Sequence, residues 1–138
     1  MSDSKEIDQE FYQHLPESCP PPDALDPSFK VYYLSKNYPV TKNDCRSLRE
    51  RQPMKRFPTN SKECQACGLS CFTDLKEAEL AKKFPNLKGM DVYEAKLFPN
   101  IGKIKSTPAS SGNSHHTLWP YQQAKPWKEF RPISDQSL

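Results

Sequence analysis

The sequence predicts a small single α+β domain: a mainly antiparallel sheet of four or five short strands, two or three helices, and long irregular proline-rich connections. Three observations predict it. The chain has 138 residues and is 35% hydrophobic, enough for one modest core and too little for two. It carries 14 prolines against 4 glycines, and proline, fixed in φ and without an amide hydrogen, interrupts helix and sheet ladders alike. Several short segments alternate apolar and polar residues at the strand period, and few repeat at the helical one.

Residues 1–28 read as an acidic, proline-rich arm. Residues 5–14 can form a short helix, but "CPPPDALDP", Cys19 to Pro27, favours an extended polyproline path. The domain spans 29–133, followed by a tail over 134–138. It starts with "KVYYLSK", rich in β-branched and aromatic residues, with Val31, Tyr33 and Ser35 on one face and Tyr32 and Leu34 on the other. After Pro39, Thr41 with Asp44 three residues on predicts the start of a helix over "KNDCRSLRER". "PMKRFPTNS" then reads as a loop anchored by Phe57.

"GLSCFTDLKEAELAKKF" is the most legible stretch. Leu69 to Phe72 predict a strand. Thr73 or Asp74 caps a helix with Glu77 completing the capping box, and Leu75, Ala78, Leu80, Ala81 and Phe84 form its apolar stripe. Asp91 to Leu97 alternates as a half-buried strand, "IGKIKST" suggests its hairpin partner, His115 to Trp119 predict a further strand, and Trp127 to Ile133 a last edge strand, where Pro132 is tolerated.

Charge is segregated along the chain. Residues 1–28 carry seven acidic residues and one lysine, net −6, whereas 30–56 carry eight basic and two acidic residues, net +6. Two arrangements compete for the basic segment: an external acidic or nucleic-acid partner, or the chain's own arm folded across it. Arg46, Arg49, Arg51, Lys55 and Arg56 are therefore candidate partner-binding residues. Trp119 and Tyr121 join them as aromatic surfaces for stacking a base or sugar, against the alternative that a tryptophan this large fills the core.

Two further sites carry recognisable chemistry. Cys64, Cys67 and Cys71 are separated by two and three intervening residues, and three thiolates completed by His115 or His116 would suit a tetrahedral zinc site. No cofactor is expected: zinc is the one the cysteines could suit, ahead of an iron–sulfur cluster, but the second ligand pair of a zinc site is missing. His115 and His116 are the candidate acid–base residues. Adjacent strand residues face opposite sides of a sheet, so only one of them can serve a given pocket. A working acid–base histidine is expected to bond a carboxylate or carbonyl within a cleft lined by Trp119 and Tyr33, with a nucleophile such as Cys71, Ser110, Ser111 or Ser114 nearby.

The common hydrolase, nucleotide-binding and zinc-protease signatures are missing from the chain. No apolar run approaches the roughly 20 residues that span a bilayer, and "MSDSKEIDQE" is acidic and polar where a secretory signal is basic and then apolar. A soluble cytoplasmic protein without a membrane partner is expected, its odd set of five cysteines reduced. The function these features favour is an interaction module that binds a protein or nucleic acid through a basic helix and the arm. The alternatives are a small enzyme acting on a nucleotide or nucleic acid through His115 or His116, and a zinc-stabilised adaptor.

Overall fold

A computed structural model describes Phe11 and residues 15–133. The tail, and all of the expected 5–14 helix except Phe11, lie outside the described residues. Six strands, β1 (Lys30–Ser35), β2 (Leu69–Phe72), β3 (Asp91–Lys96), β4 (Gly102–Ser106), β5 (His115–Pro120) and β6 (Arg131–Pro132), form one sheet. All pairings are antiparallel, in the order β4-β5-β2-β1-β3-β6. The sheet therefore has six strands where four or five were expected. The expected strand over 127–133 contracts to the two residues of β6, because Pro126 opens a tight 3-10 turn over Pro126–Lys128 and leaves only Arg131 and Pro132 to reach the edge.

Strand alternation builds two cores. Val31 and Tyr33 of β1, Leu69 and Cys71 of β2, Tyr93 and Ala95 of β3, Ile104 of β4 and Leu118 of β5 share one face and close over Val40, Cys45, Leu97, Ile101 and Phe130. Irregular chain covers this face: the Tyr33 hydroxyl donates to the Asp44 carbonyl at 2.6 Å, and the Tyr33 ring stacks on Phe130 with centroids 4.9 Å apart. Phe72 and Val92 on the opposite face pack against a helix.

Among the described residues there are three α-helices, α1 (Leu48–Arg51), α2 (Asn60–Ala66) and α3 (Leu75–Ala81). In α3, Asp74 caps the helix by accepting from the Glu77 amide at 3.1 Å, and Ala78 and Ala81 are buried. Leu80 and Phe84, expected in the same stripe, are 51% and 38% exposed. At 3.6 residues per turn Leu80 points away from the face that buries Ala78 and Ala81, and Phe84 lies beyond the end of the helix.

The helix expected from Thr41 divides. Asp44 folds back to accept from the Thr41 amide at 2.9 Å, which closes a single 3-10 turn, Lys42–Asp44. Ser47 then caps α1 afresh, its side chain accepting from the Glu50 amide. α2 starts within the stretch expected as a loop, where Thr59 caps it by accepting from the Lys62 amide at 3.1 Å. Gly68 joins α2 to β2 where a Cβ would collide with the Thr117 methyl and the Leu118 carbonyl.

The expectation of fully reduced cysteines also fails. Cys19 and Cys64 form a disulfide, with 45 residues of separation and Cα atoms 5.6 Å apart. Their proximity depends on the path of the arm, which spacing does not encode. Among the described residues, no helix is long and apolar enough to cross a membrane.

Candidate functional site

The two histidines stand on β5, the second strand of the sheet, between the edge strand β4 and β2. His115 pairs across β2 with Phe72 and His116 with Cys71, so their rings point to opposite faces, as strand parity requires. His115 is 6% exposed. Its Nδ1 lies 2.9 Å from the Thr107 carbonyl and 3.0 Å from the Thr107 hydroxyl, which in turn meets the Thr117 hydroxyl at 2.8 Å.

Only a protonated Nδ1 can bond a carbonyl, so this contact assigns the proton to Nδ1 and the lone pair to Nε2. Phe72 closes one side of the ring edge-on at 5.5 Å. Burial in this apolar setting holds the His115 pKa below its ordinary value. His116 repeats the pattern on the other face, its Nδ1 at 2.8 Å from the Ser114 carbonyl and its ring 5.8 Å from Phe29.

Glu77 anchors the loop that enters β5. Its carboxylate accepts from the Ser114 amide at 2.8 Å, a bond that also lowers its pKa. Thr107 and Glu77 were not singled out as site residues from sequence; the pairings that bring them to β5 are long-range and leave no local signal.

The expected cleft between Trp119 and Tyr33 does not form. Tyr33 belongs to the core on one face, whereas Trp119 shares the parity of His115 and lies on the other. Trp119 is 2% exposed and donates its indole N–H to the Cys64 carbonyl at 2.9 Å. Its ring is enclosed and offers no face to a ligand. Tyr121 is half-buried and stacks on Phe11 with centroids 5.0 Å apart.

The basic residues divide into Arg49, which is half-buried and bonded across the segment, and four that are exposed, although Arg51 donates to the Arg46 carbonyl at 3.4 Å and Lys55 lies over the Phe57 ring at 5.7 Å. Arg49 holds Glu63 of α2 through two bonds, of 2.8 and 2.6 Å. It also donates to the carbonyls of Gln52, Pro53 and Lys55 at 3.3, 2.7 and 2.8 Å, and lies over the Phe57 ring at 5.0 Å. The Arg49 guanidinium holds the Glu63 carboxyl below its usual range, and Glu63 raises Arg49 in return. Arg46, Arg51, Lys55 and Arg56 are exposed, and between them Met54 stands 89% exposed. Glu63 had no sequence signal for this role, because it lies in the unrecognised α2.

The cysteines do not converge. Cys64 is committed to Cys19, so its sulfur is not a thiolate. Cys67 Sγ lies 3.7 Å from Glu63 Oε2, and Cys71 is buried in the face-one core, where burial pushes its thiol up to about 12. That removes Cys71 as a nucleophile near neutral pH. Among the described residues, no group of three or more His, Cys, Asp or Glu is placed to hold a metal ion. Compared with known proteins, no family model matches the chain, and no curated protein or solved structure matches it.

Proposed function

We propose that this chain is a non-enzymatic binding module that engages a polyanionic partner through the basic segment of residues 46–56, the short helix α1 and the loop that follows it. One observation carries the reading: Arg49 spends its charge internally, on Glu63 and three loop carbonyls, while Arg46, Arg51, Lys55 and Arg56 stay exposed. A loop already ordered by its own arginine loses less conformational freedom on binding than a mobile basic tail. Its neighbouring charges supply sequence-independent attraction to phosphates or carboxylates, and Met54 at the tip adds an apolar contact. The arm takes no part in this surface, since Asp23 and Asp26 already pair with Lys105 and Lys103.

The test compares the full chain with Arg46→Glu/Arg51→Glu/Lys55→Glu/Arg56→Glu for binding to a single-stranded oligonucleotide and to a poly-glutamate peptide across a salt series. If the oligonucleotide binds through all four side chains, the slope of log K against log salt falls by about 3, at roughly 0.7 per phosphate contact. A slope that the substitutions leave unchanged removes the loop as the binding surface. The peptide separates a protein partner from a nucleic acid.

A second reading rests on His115, whose carbonyl-held Nδ1 orients Nε2 as a proton acceptor. Under it, a nucleotide added to 15N-labelled protein shifts the His115 Nε2 resonance saturably. A resonance that stays fixed at millimolar nucleotide eliminates this acid–base site for such ligands.

A further inference from the structure

β4 is an edge strand, and its outer side is occupied by the chain's own residues 23–26. The Leu25 amide donates to the Ile104 carbonyl at 2.7 Å, and the Ile104 amide donates back to the Leu25 carbonyl at 2.9 Å, a single antiparallel bridge. On either side of that bridge, Asp23 pairs with Lys105 at 2.5 Å and Asp26 with Lys103 at 2.7 Å. The Leu25 side chain itself turns outward and is 62% exposed.

β4 therefore recognises very little of this segment's identity. It reads one backbone amide, one backbone carbonyl and two carboxylates three residues apart, groups that any extended acidic peptide offers. Lys103 and Lys105 are two residues apart on the strand and so project to the same side. Contacts of this kind between exposed groups are individually weak in water. The firm attachments lie elsewhere: Pro27 is buried, the Asn60 side chain donates to the Glu17 carbonyl at 2.8 Å, and Cys19 is bonded to Cys64.

We propose that the β4 edge is a docking edge for an extended acidic peptide, and that residues 23–26 occupy it as an internal ligand kept in place by the Cys19–Cys64 disulfide. A partner peptide adds a strand to the edge, its main chain bonding Ile104 and its carboxylates meeting Lys103 and Lys105. A dithiol reductant opens the edge: it is oxidised to its cyclic disulfide, and Cys19 and Cys64 each leave as a thiol carrying one proton. The arm then loses its covalent anchor: Pro27 and the Asn60–Glu17 bond still tether it, but at β4 itself it is held by the bridge and the two ion pairs, contacts that a competing peptide reproduces.

The probe is a fluorescent peptide of residues 21–27, Pro-Pro-Asp-Ala-Leu-Asp-Pro, titrated by anisotropy into the full chain before and after reduction with dithiothreitol. The oxidised protein is expected not to bind it, and the reduced protein to bind saturably. Binding to the reduced protein should fall tenfold or more with Lys103→Gln/Lys105→Gln, and with a peptide carrying asparagine for both aspartates. In parallel, hydrogen exchange at the Ile104 amide should accelerate on reduction without peptide.

A second variant guards against loss of fold on reduction. Asp23→Asn/Asp26→Asn weakens the internal competitor without touching a cysteine, so the reduced variant should bind the peptide more tightly than the reduced parent. Equal peptide affinity in those two proteins overturns the proposal. So does an Ile104 amide that stays protected after reduction with no peptide bound, which makes the arm a permanent brace. Dimerisation of the reduced chain by exchange of arms overturns it as well, by giving the edge to a second copy.

Discussion

The acidic arm and the basic loop carry opposite charge and are near neighbours in sequence, yet among the described residues no ion pair joins them. Asp23 and Asp26 find their counter-charges on β4, far along the chain, whereas the loop commits one arginine to Glu63 and leaves four basic residues exposed. Both regions are nonetheless fixed to the same seven-residue helix. Asn60 and Cys64 of α2 hold the arm, Glu63 holds the loop, and the Cys64 carbonyl accepts from Trp119 in the core. The difference teaches that a charged block acquires its role from where its anchors lie, and charge alone does not locate them.

The largest expected effect comes from cutting the arm's covalent anchor. Cys19 and Cys64 close a loop of 45 residues, for which the chain-entropy relation gives about 4 kcal/mol. Cys19→Ser should therefore lower Tm by roughly 10 °C or more in a melt followed by circular dichroism. It should leave the ordering of the basic loop intact, since Arg49 and its partners do not involve the arm. Loss of amide protection at residues 52–55 in this variant would mean that the two regions are not independent.

An intermediate effect sharpens the comparison by acting on the shared helix. Thr59 caps α2, and replacing such a cap by alanine typically costs about 1 kcal/mol. Thr59→Ala should raise hydrogen exchange both at Ile104, through the arm, and at 52–55, through Glu63. If only one region responds, α2 is not the junction between them.

How much of this was readable in advance follows from the range of the interactions. The strand at 69–72 and the Asp74 cap of α3 were legible because their cause is local, β-propensity and a cap, whereas the capping box expected from Glu77 does not form, because its carboxylate accepts from the Ser114 amide instead. Opposite faces for His115 and His116 followed from parity alone. The α2 helix was not legible, because "NSKECQA" buries only Cys64 and Ala66 and its attachments, to Trp119 through the Cys64 carbonyl and to Arg49 through Glu63, are long-range. For the same reason Arg49 could not be told from Arg46, Arg51, Lys55 and Arg56: the residue that distinguishes it, Glu63, is 14 residues away. The disulfide was out of reach because an odd cysteine count gives no pairing.

The smallest expected effect tests β5 apart from both charged regions. Desolvation, with a minor contribution from nearby His116, holds His115 below its ordinary pKa, and the bond to Thr107 opposes that shift only in part. The unfolded chain, with His115 at about the model-peptide value of 6.5, takes up a proton that the folded chain refuses. Stability from this group is complete above pH 6.5 and is lost as pH falls from there toward the lower folded pKa. His115→Gln keeps an amide able to donate to the Thr107 carbonyl and removes the titration. Between pH 7.5 and 5 the parent should therefore lose stability more steeply than His115→Gln, with no such difference above pH 7. Parallel curves over the whole range would mean that water reaches the ring freely, and that Thr107 and Phe72 do not enclose it in solution.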